Sequence, residues 1–212
     1  MQFFDSTNAM LICAYCAIIQ VIVLWSAVTD TTGLWDFSLM SDVIYLFDII
    51  MLIGIWLGAA YVFWRYEGDK VKAFGVFMSV VGLVILLDRL VCIVAEYANN
   101  YKDVNMDAFL EYVLLYAIII ALGLYLINMG MKIYNQKEIW NGNRILILVF
   151  MILFIITRAL QLIVNSYDIT DFIDVESGIF LCVFIVGALI DEDVKEGMGG
   201  KVREDEDFDF LK

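Results

Sequence analysis

The sequence predicts an all-α integral membrane protein whose six transmembrane helices form three helical hairpin repeats of about 69 residues. Of its 212 residues, 63% are hydrophobic and the mean hydropathy is +0.85. A soluble domain is about 45–50% apolar. Apolar runs of about 20 residues, the length that crosses a bilayer, recur along the chain. Polar residues inside those runs recur at a regular interval, which predicts the repeat.

Six apolar segments are the candidate spans. They run from Ala9 to Val28, Val43 to Trp64, Ala73 to Ala95, Ala108 to Ile133, Ile145 to Val164 and Gly178 to Ile190. The first has no basic segment before it and no small-residue cleavage site after it, so we interpret it as a retained helix. The last covers only about 20 Å as a helix, against a hydrocarbon core of about 30 Å. We therefore expect its helix to begin earlier, near Asp174.

The hairpins are predicted over residues 5–65, 70–134 and 144–190, within one transmembrane domain of residues 1–190. Residues 191–212 contain three glycines and end in EDEDFDFLK, so they are expected to form a flexible acidic tail. An alternative is that Phe208, Phe210 and Leu211 form a short docking peptide.

Lysine and arginine predict the orientation. They cluster between the second and third spans, between the fourth and fifth spans, and in the tail. The three loops on the opposite side contain only Lys102. By the positive-inside rule, both termini are expected in the cytoplasm, with the protein in the cell membrane, either plasma or inner.

Three polar positions recur along the odd-numbered spans. Gln20, Arg89 and Arg158 follow one another at intervals of 69 residues. Residues three and seven positions further along a helix share the same face. The polar residues at those positions are Cys92, Glu96, Gln161 and Asn165. The interval predicts that each odd-numbered span has a row of polar residues on the same helix face. In the first span, apolar residues occupy most of these positions.

A buried polar cluster is predicted in the outer half of the membrane. Its members are Arg89, Arg158, Asp48, Glu96, Gln161, Asn165, Gln20 and Asp88. A charge at the centre of a span costs about 2.5–3.5 kcal/mol on insertion scales, so these residues need partners or a function. Asp48 is the expected partner of Arg89 or Arg158, with Glu96 and Asp88 as local alternatives. An ion-pair cluster that fixes helix packing is preferred to a transport site.

Acidic residues also mark the outer boundary. Asp42, Glu111 and Glu176 stand where the second, fourth and sixth spans begin. The simpler interpretation is a solvated rim. The alternative is a negative vestibule that concentrates cations.

The cysteines and the missing histidines limit the chemistry. Cys13 and Cys16 form a CxxC pair inside the first span, with no basic neighbour to favour a thiolate. We interpret them as packing residues; the alternative is a thiol oxidase linked to a quinone. The chain has no histidine, the commonest metal ligand and general base. No metal site, cofactor or enzymatic activity is predicted.

The function predicted from these features is that of a non-catalytic subunit or scaffold in a larger membrane complex. Its expected partners are the lipid bilayer and other membrane subunits or further copies of itself, and no nucleic acid. The alternative is a small channel or transporter for cations or a polar solute. Against the alternative, no span has a proline or a paired-glycine break. Arginines along the path would also repel cations.

Overall fold

The computed structural model describes residues 4–32, 40–65, 69–100, 106–135, 141–164, 169–191 and 194–195. Within these ranges the chain is helical except for a few residues at helix ends. The helices are α1 (Ser6–Thr32), α2 (Met40–Arg65), α3 (Lys70–Asn100), α4 (Met106–Tyr134), α5 (Asn141–Val164) and α6 (Ile169–Ile190). Five of them, α1 to α5, are long and apolar enough to cross a membrane. The all-α prediction is confirmed for this part of the chain.

The sixth helix is longer than its apolar segment. It begins at Ile169, before the Gly178 start of the predicted span and five residues before Asp174, near which the sequence analysis expects the helix to begin. Its apolar part covers only Val175–Ile190. It is therefore not among the helices that are long and apolar enough to cross a membrane, and the sixth predicted span stays a prediction.

Two helices begin with aspartate caps. The Asp5 carboxylate accepts a hydrogen bond from the backbone N–H of Asn8 at 2.6 Å, and Asp69 accepts one from Val71 at 2.8 Å. Such caps satisfy donors that have no partner inside the helix. The chain has no proline, so no helix is interrupted by a missing backbone donor.

The helices pack as consecutive pairs. α1 packs on α2, α3 on α4, and α5 on α6. Between the pairs, α2 contacts α3, α1 contacts α6, and α1 has a smaller contact with α3. The helices α4 and α5 therefore lie at the edges of the bundle, held mainly by α3 and α6, and one hydrogen bond joins them, donated by the Tyr125 hydroxyl to Oδ1 of Asn143 at 3.2 Å. The α2–α3 contact is more extensive than the α5–α6 contact, so the division into three hairpins and the 69-residue repeat both stay predictions.

Glycines allow α3 and α4 to approach closely. A Cβ atom on Gly82 would lie 2.6 Å from the Gly123 carbonyl oxygen, and one on Gly75 would lie 2.7 Å from that of Gly130. This antiparallel contact, the glycine seam, is typical of helices that pack through small residues. Gly54 lies 69 residues before Gly123 but has no atom within 4 Å of its Cβ position.

One end of the bundle is filled by phenylalanines. The Phe4 ring lies 5.2 Å from that of Phe74 and 5.4 Å from that of Phe184, and Phe77 lies 5.2 Å from Phe184. We call this the terminal end, and the opposite end, where α1, α3 and α5 finish, the far end. Val194, which the sequence analysis assigns to the flexible tail, is fully buried. Residues 196–212 of the predicted tail lie outside the described residues.

The exterior of the bundle is apolar, most of all on α5. Of the most apolar stretch of α5, only 11% is buried, whereas 22–28% of the corresponding stretches of α1 to α4 is buried. Its exposed large apolar side chains are Ile145, Leu146, Val149, Phe150, Ile152, Leu153, Phe154, Ile156, Leu160 and Ile163. The helix therefore presents most of its circumference to whatever surrounds the bundle.

Candidate functional site

A partly open cavity of about 160 Å³ lies inside the bundle. Side chains from α1, α2, α3, α5 and α6 line it, and none comes from the described side chains of α4. Its residues are Cys16, Gln20, Leu52, Trp56, Val84, Ile85, Asp88, Arg89, Phe154, Arg158, Val175, Ser177, Gly178 and Leu181. Five helices thus converge on one space, which makes it the candidate site.

The three odd-numbered helices contribute equivalent positions to this cavity. Gln20, Arg89 and Arg158, which stand 69 residues apart, all line it. The residues four positions earlier, one helical turn away, line it too and keep the same interval; they are Cys16, Ile85 and Phe154. The interval in the sequence therefore corresponds to a shared surface in the structure, although a duplication is not thereby established.

The wall of the cavity has a polar and an apolar part. The polar part consists of Gln20, Asp88, Arg89, Arg158 and Ser177. The apolar part consists of Leu52, Trp56, Val84, Ile85, Phe154, Val175 and Leu181. Three of the five polar groups carry charge, so the space is suited to a polar or charged group with a small apolar portion.

Arg89 forms its ion pair with the preceding residue of the same helix. Its Nη2 atom lies 2.7 Å from Oδ2 of Asp88, and each side chain is about a quarter exposed. Consecutive residues on a helix do not face each other, so the long arginine side chain must fold back to reach the carboxylate. The guanidinium also lies 5.5 Å from the ring centroid of Tyr116 on α4. Arg89 thus takes the local alternative, Asp88, as its partner and not Asp48.

Asp48 is a buried carboxylate beside this pair. It is 3% exposed, and its Oδ1 atom has no hydrogen-bond partner among the described residues. It lies within electrostatic range of Asp88 and Arg89. Leu52, one turn along α2, lines the cavity, so Asp48 stands just beyond the cavity wall toward the far end.

Arg158 faces the cavity from α5. Its guanidinium carbon lies 5.1 Å from the ring centroid of Phe154, a distance at which a cation is attracted to an aromatic face. It also lies within electrostatic range of Asp88. One acidic side chain of α3 therefore interacts with the arginines of two different helices.

The remaining predicted residues lie apart from the cavity or outside the described part. Glu96 lies further along α3, within electrostatic range of Tyr45. Asp42 lies in the first turn of α2, and Glu176 is exposed on α6. The side chains of Glu111 and Gln161, and the whole of Asn165, lie outside the described residues.

The cysteines are free thiols, and Cys13, Cys16 and Cys182 are buried. In the described ranges, no group of three or more histidine, cysteine, aspartate or glutamate side chains is placed to hold a metal ion. Cys16 lines the cavity and also packs in the apolar core.

The sequence analysis missed several residues of the site. Trp56 and Ser177 carry no charge and do not follow the interval, so no pattern distinguished them from other residues of their helices. Phe154 could have been identified as a site residue from the sequence, because it stands four residues before Arg158 and 69 after Ile85.

No protein-family model, curated protein or solved structure matches this chain.

Proposed function

We propose that the protein is a multi-pass membrane protein that serves as a non-catalytic subunit or scaffold of a larger membrane complex. Insertion is supported by five helices of sufficient length and apolarity and by the extent of exposed apolar surface. In water this surface would be strongly unfavourable, whereas lipid tails solvate it. The lysine and arginine distribution favours cytoplasmic termini in the cell membrane.

The observation that carries the subunit role is the position of α5. This helix packs mainly on α6 and buries the smallest share of its surface among the five long helices. Helices in a bilayer associate through close van der Waals packing, not through apolarity alone. An edge helix with large side chains along several faces offers such a surface to a neighbouring subunit or a second copy.

The test is the mass of the native assembly in mild detergent. After the bound detergent is subtracted, we expect a protein mass above that of the single 24.2 kDa chain. We expect Ile156→Trp on α5 to reduce the protein mass to that of the single chain. The matched control is Ile18→Trp on α1, because Ile18 is exposed to a similar extent, 58% against 50% for Ile156. A particle of one chain for the unaltered protein, or equal dissociation by both variants, would contradict the proposal.

A second candidate function, a carrier or channel for a small polar solute, is favoured by the cavity. A charged space reached by five helices is an unusual feature for a purely structural bundle. Its two arginines argue against a cation as the solute. The protein reconstituted alone in liposomes should pass no solute if it is a passive subunit. A saturable flux that Arg158→Gln abolishes would favour the carrier.

A further inference from the structure

We propose that the cavity binds a small oxyanion, a carboxylate or phosphate group, through Arg158 and Arg89. Gln20 on α1 and Ser177 on α6 line the same space from other sides, and both are polar side chains. The proposal goes beyond the subunit role and does not depend on it, because it concerns only what this cavity accommodates.

The size of the cavity sets the size of the ligand. An apolar cavity of about 150 Å³ is known to hold one benzene molecule. The present cavity, about 160 Å³, therefore holds a group of similar size. Inorganic phosphate and lactate fit this limit, as does the phosphate portion of a lipid headgroup.

The charge of the wall sets the sign of the ligand. Among the described residues of the lining, the charged side chains are Arg89, Arg158 and Asp88, with a net charge of +1. A guanidinium has five N–H donors, so the bond from Arg89 to Asp88 does not use up its capacity. Arginine is also the side chain best matched to carboxylate and phosphate geometry. Asp48 lies one helical turn beyond the wall, and its carboxylate would repel an anion in the cavity. Replacing this carboxylate therefore tests the sign of the ligand's charge.

The position of the site allows two sources for the oxyanion. Arg158 stands six residues before Val164, the end of α5, or about 9 Å along the helix axis. At that depth in a bilayer, arginine side chains reach toward the headgroup region. A dissolved anion entering from the far end and an anionic lipid entering from the side would meet the same groups.

The experiment uses the full chain in lipid nanodiscs. In discs of phosphatidylcholine, inorganic phosphate and lactate are titrated by calorimetry. In discs that also contain phosphatidylglycerol, native mass spectrometry counts the anionic lipid retained. Arg158→Gln should weaken the dissolved probe by about tenfold to a hundredfold, the loss of a charged hydrogen bond. If the source is lipid, the same variant should lose retained phosphatidylglycerol.

The matched control is Arg65→Gln. The Arg65 guanidinium also lies over a ring, 5.6 Å from the centroid of Trp64, but it stands at the terminal end outside the cavity. It should leave both measurements unchanged. Circular dichroism shows whether Arg158→Gln folds. If it does not, Arg158→Lys, which keeps the positive charge, replaces it and should bind the probe with intermediate strength.

Asp48→Asn tests the sign of the charge that the cavity accepts. Removing this carboxylate should strengthen the binding of phosphate and lactate severalfold. Weaker binding of these anions in Asp48→Asn would show that the carboxylate does not oppose the ligand and would overturn the proposal. Absence of both saturable probe binding and Arg158-dependent lipid retention in the folded protein would overturn it as well.

Discussion

At the scale of single residues, distance along the chain decides which carboxylate Arg89 takes. Asp88 is held beside Arg89 by the helix itself, at 2.7 Å, whereas Asp48 belongs to a different helix. The local pair needs no additional ordering of one helix against another. Asp48 is left with one oxygen unpartnered within the described residues and with the Asp88 carboxylate nearby.

The first prediction concerns this ion pair. Asp88→Asn should lower the free energy of unfolding by about 1.5–3 kcal/mol, the range for hydrogen bonds to charged groups, because Arg89 loses its partner. Thermal unfolding in detergent measures the change, with Glu176→Gln as the control because Glu176 is an exposed carboxylate. The double variant Asp88→Asn, Arg89→Gln should lose less than the two single variants together. Strictly additive losses would show that the two residues are not coupled.

The second prediction concerns Asp48. Asp48→Asn keeps the shape of the side chain and removes a buried charge that lies close to another carboxylate. The cost of burying that charge exceeds the attraction of an arginine that already pairs with Asp88. We therefore expect a higher melting temperature. A loss as large as that of Asp88→Asn would mean instead that Asp48 is the partner of an arginine, as the sequence analysis expects.

The sequence located the polar positions better than it located their partners. A fixed interval identifies Gln20, Arg89 and Arg158 because chain distance is readable directly, and the three side chains line one cavity. The choice between Asp48 and Asp88 depends on how a flexible side chain folds back and on the distance between two helices. Neither the side-chain conformation nor the distance between the helices can be predicted from the sequence.

At the scale of helices, the glycine seam determines how closely α3 and α4 approach. The third prediction is that Gly82→Ala destabilises the bundle by about 1–3 kcal/mol, the cost of overpacking, because its Cβ would meet the Gly123 carbonyl oxygen at 2.6 Å. Thermal unfolding of the purified protein tests this. Gly54→Ala is the control, since nothing lies within 4 Å of its Cβ position. It should be neutral or slightly stabilising, because alanine favours a helix more than glycine does. Equal losses for both would argue against a close seam.

The seam was visible in the sequence as a spacing but not as a contact. The glycines of α3, Gly75 and Gly82, are seven residues apart, and so are Gly123 and Gly130 of α4. The sequence analysis used Gly123 with Gly54 for the 69-residue interval. Glycine in a helix is compatible both with a close neighbour and with open surface, and Gly123 and Gly54 are one example of each. Only the packing of the partner helix distinguishes them.

At the scale of the whole molecule, the two edge helices, α4 and α5, differ in their relation to the cavity. The helices α1, α2, α3 and α6 surround the cavity together with one face of α5, whereas α4 is attached through the glycine seam outside it. The two features meet at Arg89, a wall residue whose guanidinium lies 5.5 Å from the ring centroid of Tyr116 on α4. Oxyanion binding should therefore be measured for the seam variant Gly82→Ala as well as its stability.

The fourth prediction is the orientation of the bundle in the membrane. In a background with Cys13, Cys16, Cys92 and Cys182 replaced, single cysteines are introduced at Asp36 and at Lys137. Both positions lie outside the described residues; α1 ends and α2 begins at the far end on either side of Asp36, and α4 ends and α5 begins at the terminal end on either side of Lys137. Because lysine and arginine concentrate at the terminal end, an impermeant thiol reagent should label Asp36→Cys on intact cells. It should label Lys137→Cys only after the cells are permeabilised.

A reversed labelling pattern would contradict the orientation and move the cavity with it. Arg89 and Arg158 both stand nearer the far end of their helices, so the expected orientation opens the oxyanion site toward the exterior half of the bilayer. In the reversed case, the same arginines would face the cytoplasmic leaflet, where anionic lipids are concentrated. Lipid headgroup would then be favoured over dissolved anion as the source of the oxyanion, while the predictions for Arg158→Gln and Asp48→Asn would keep their direction.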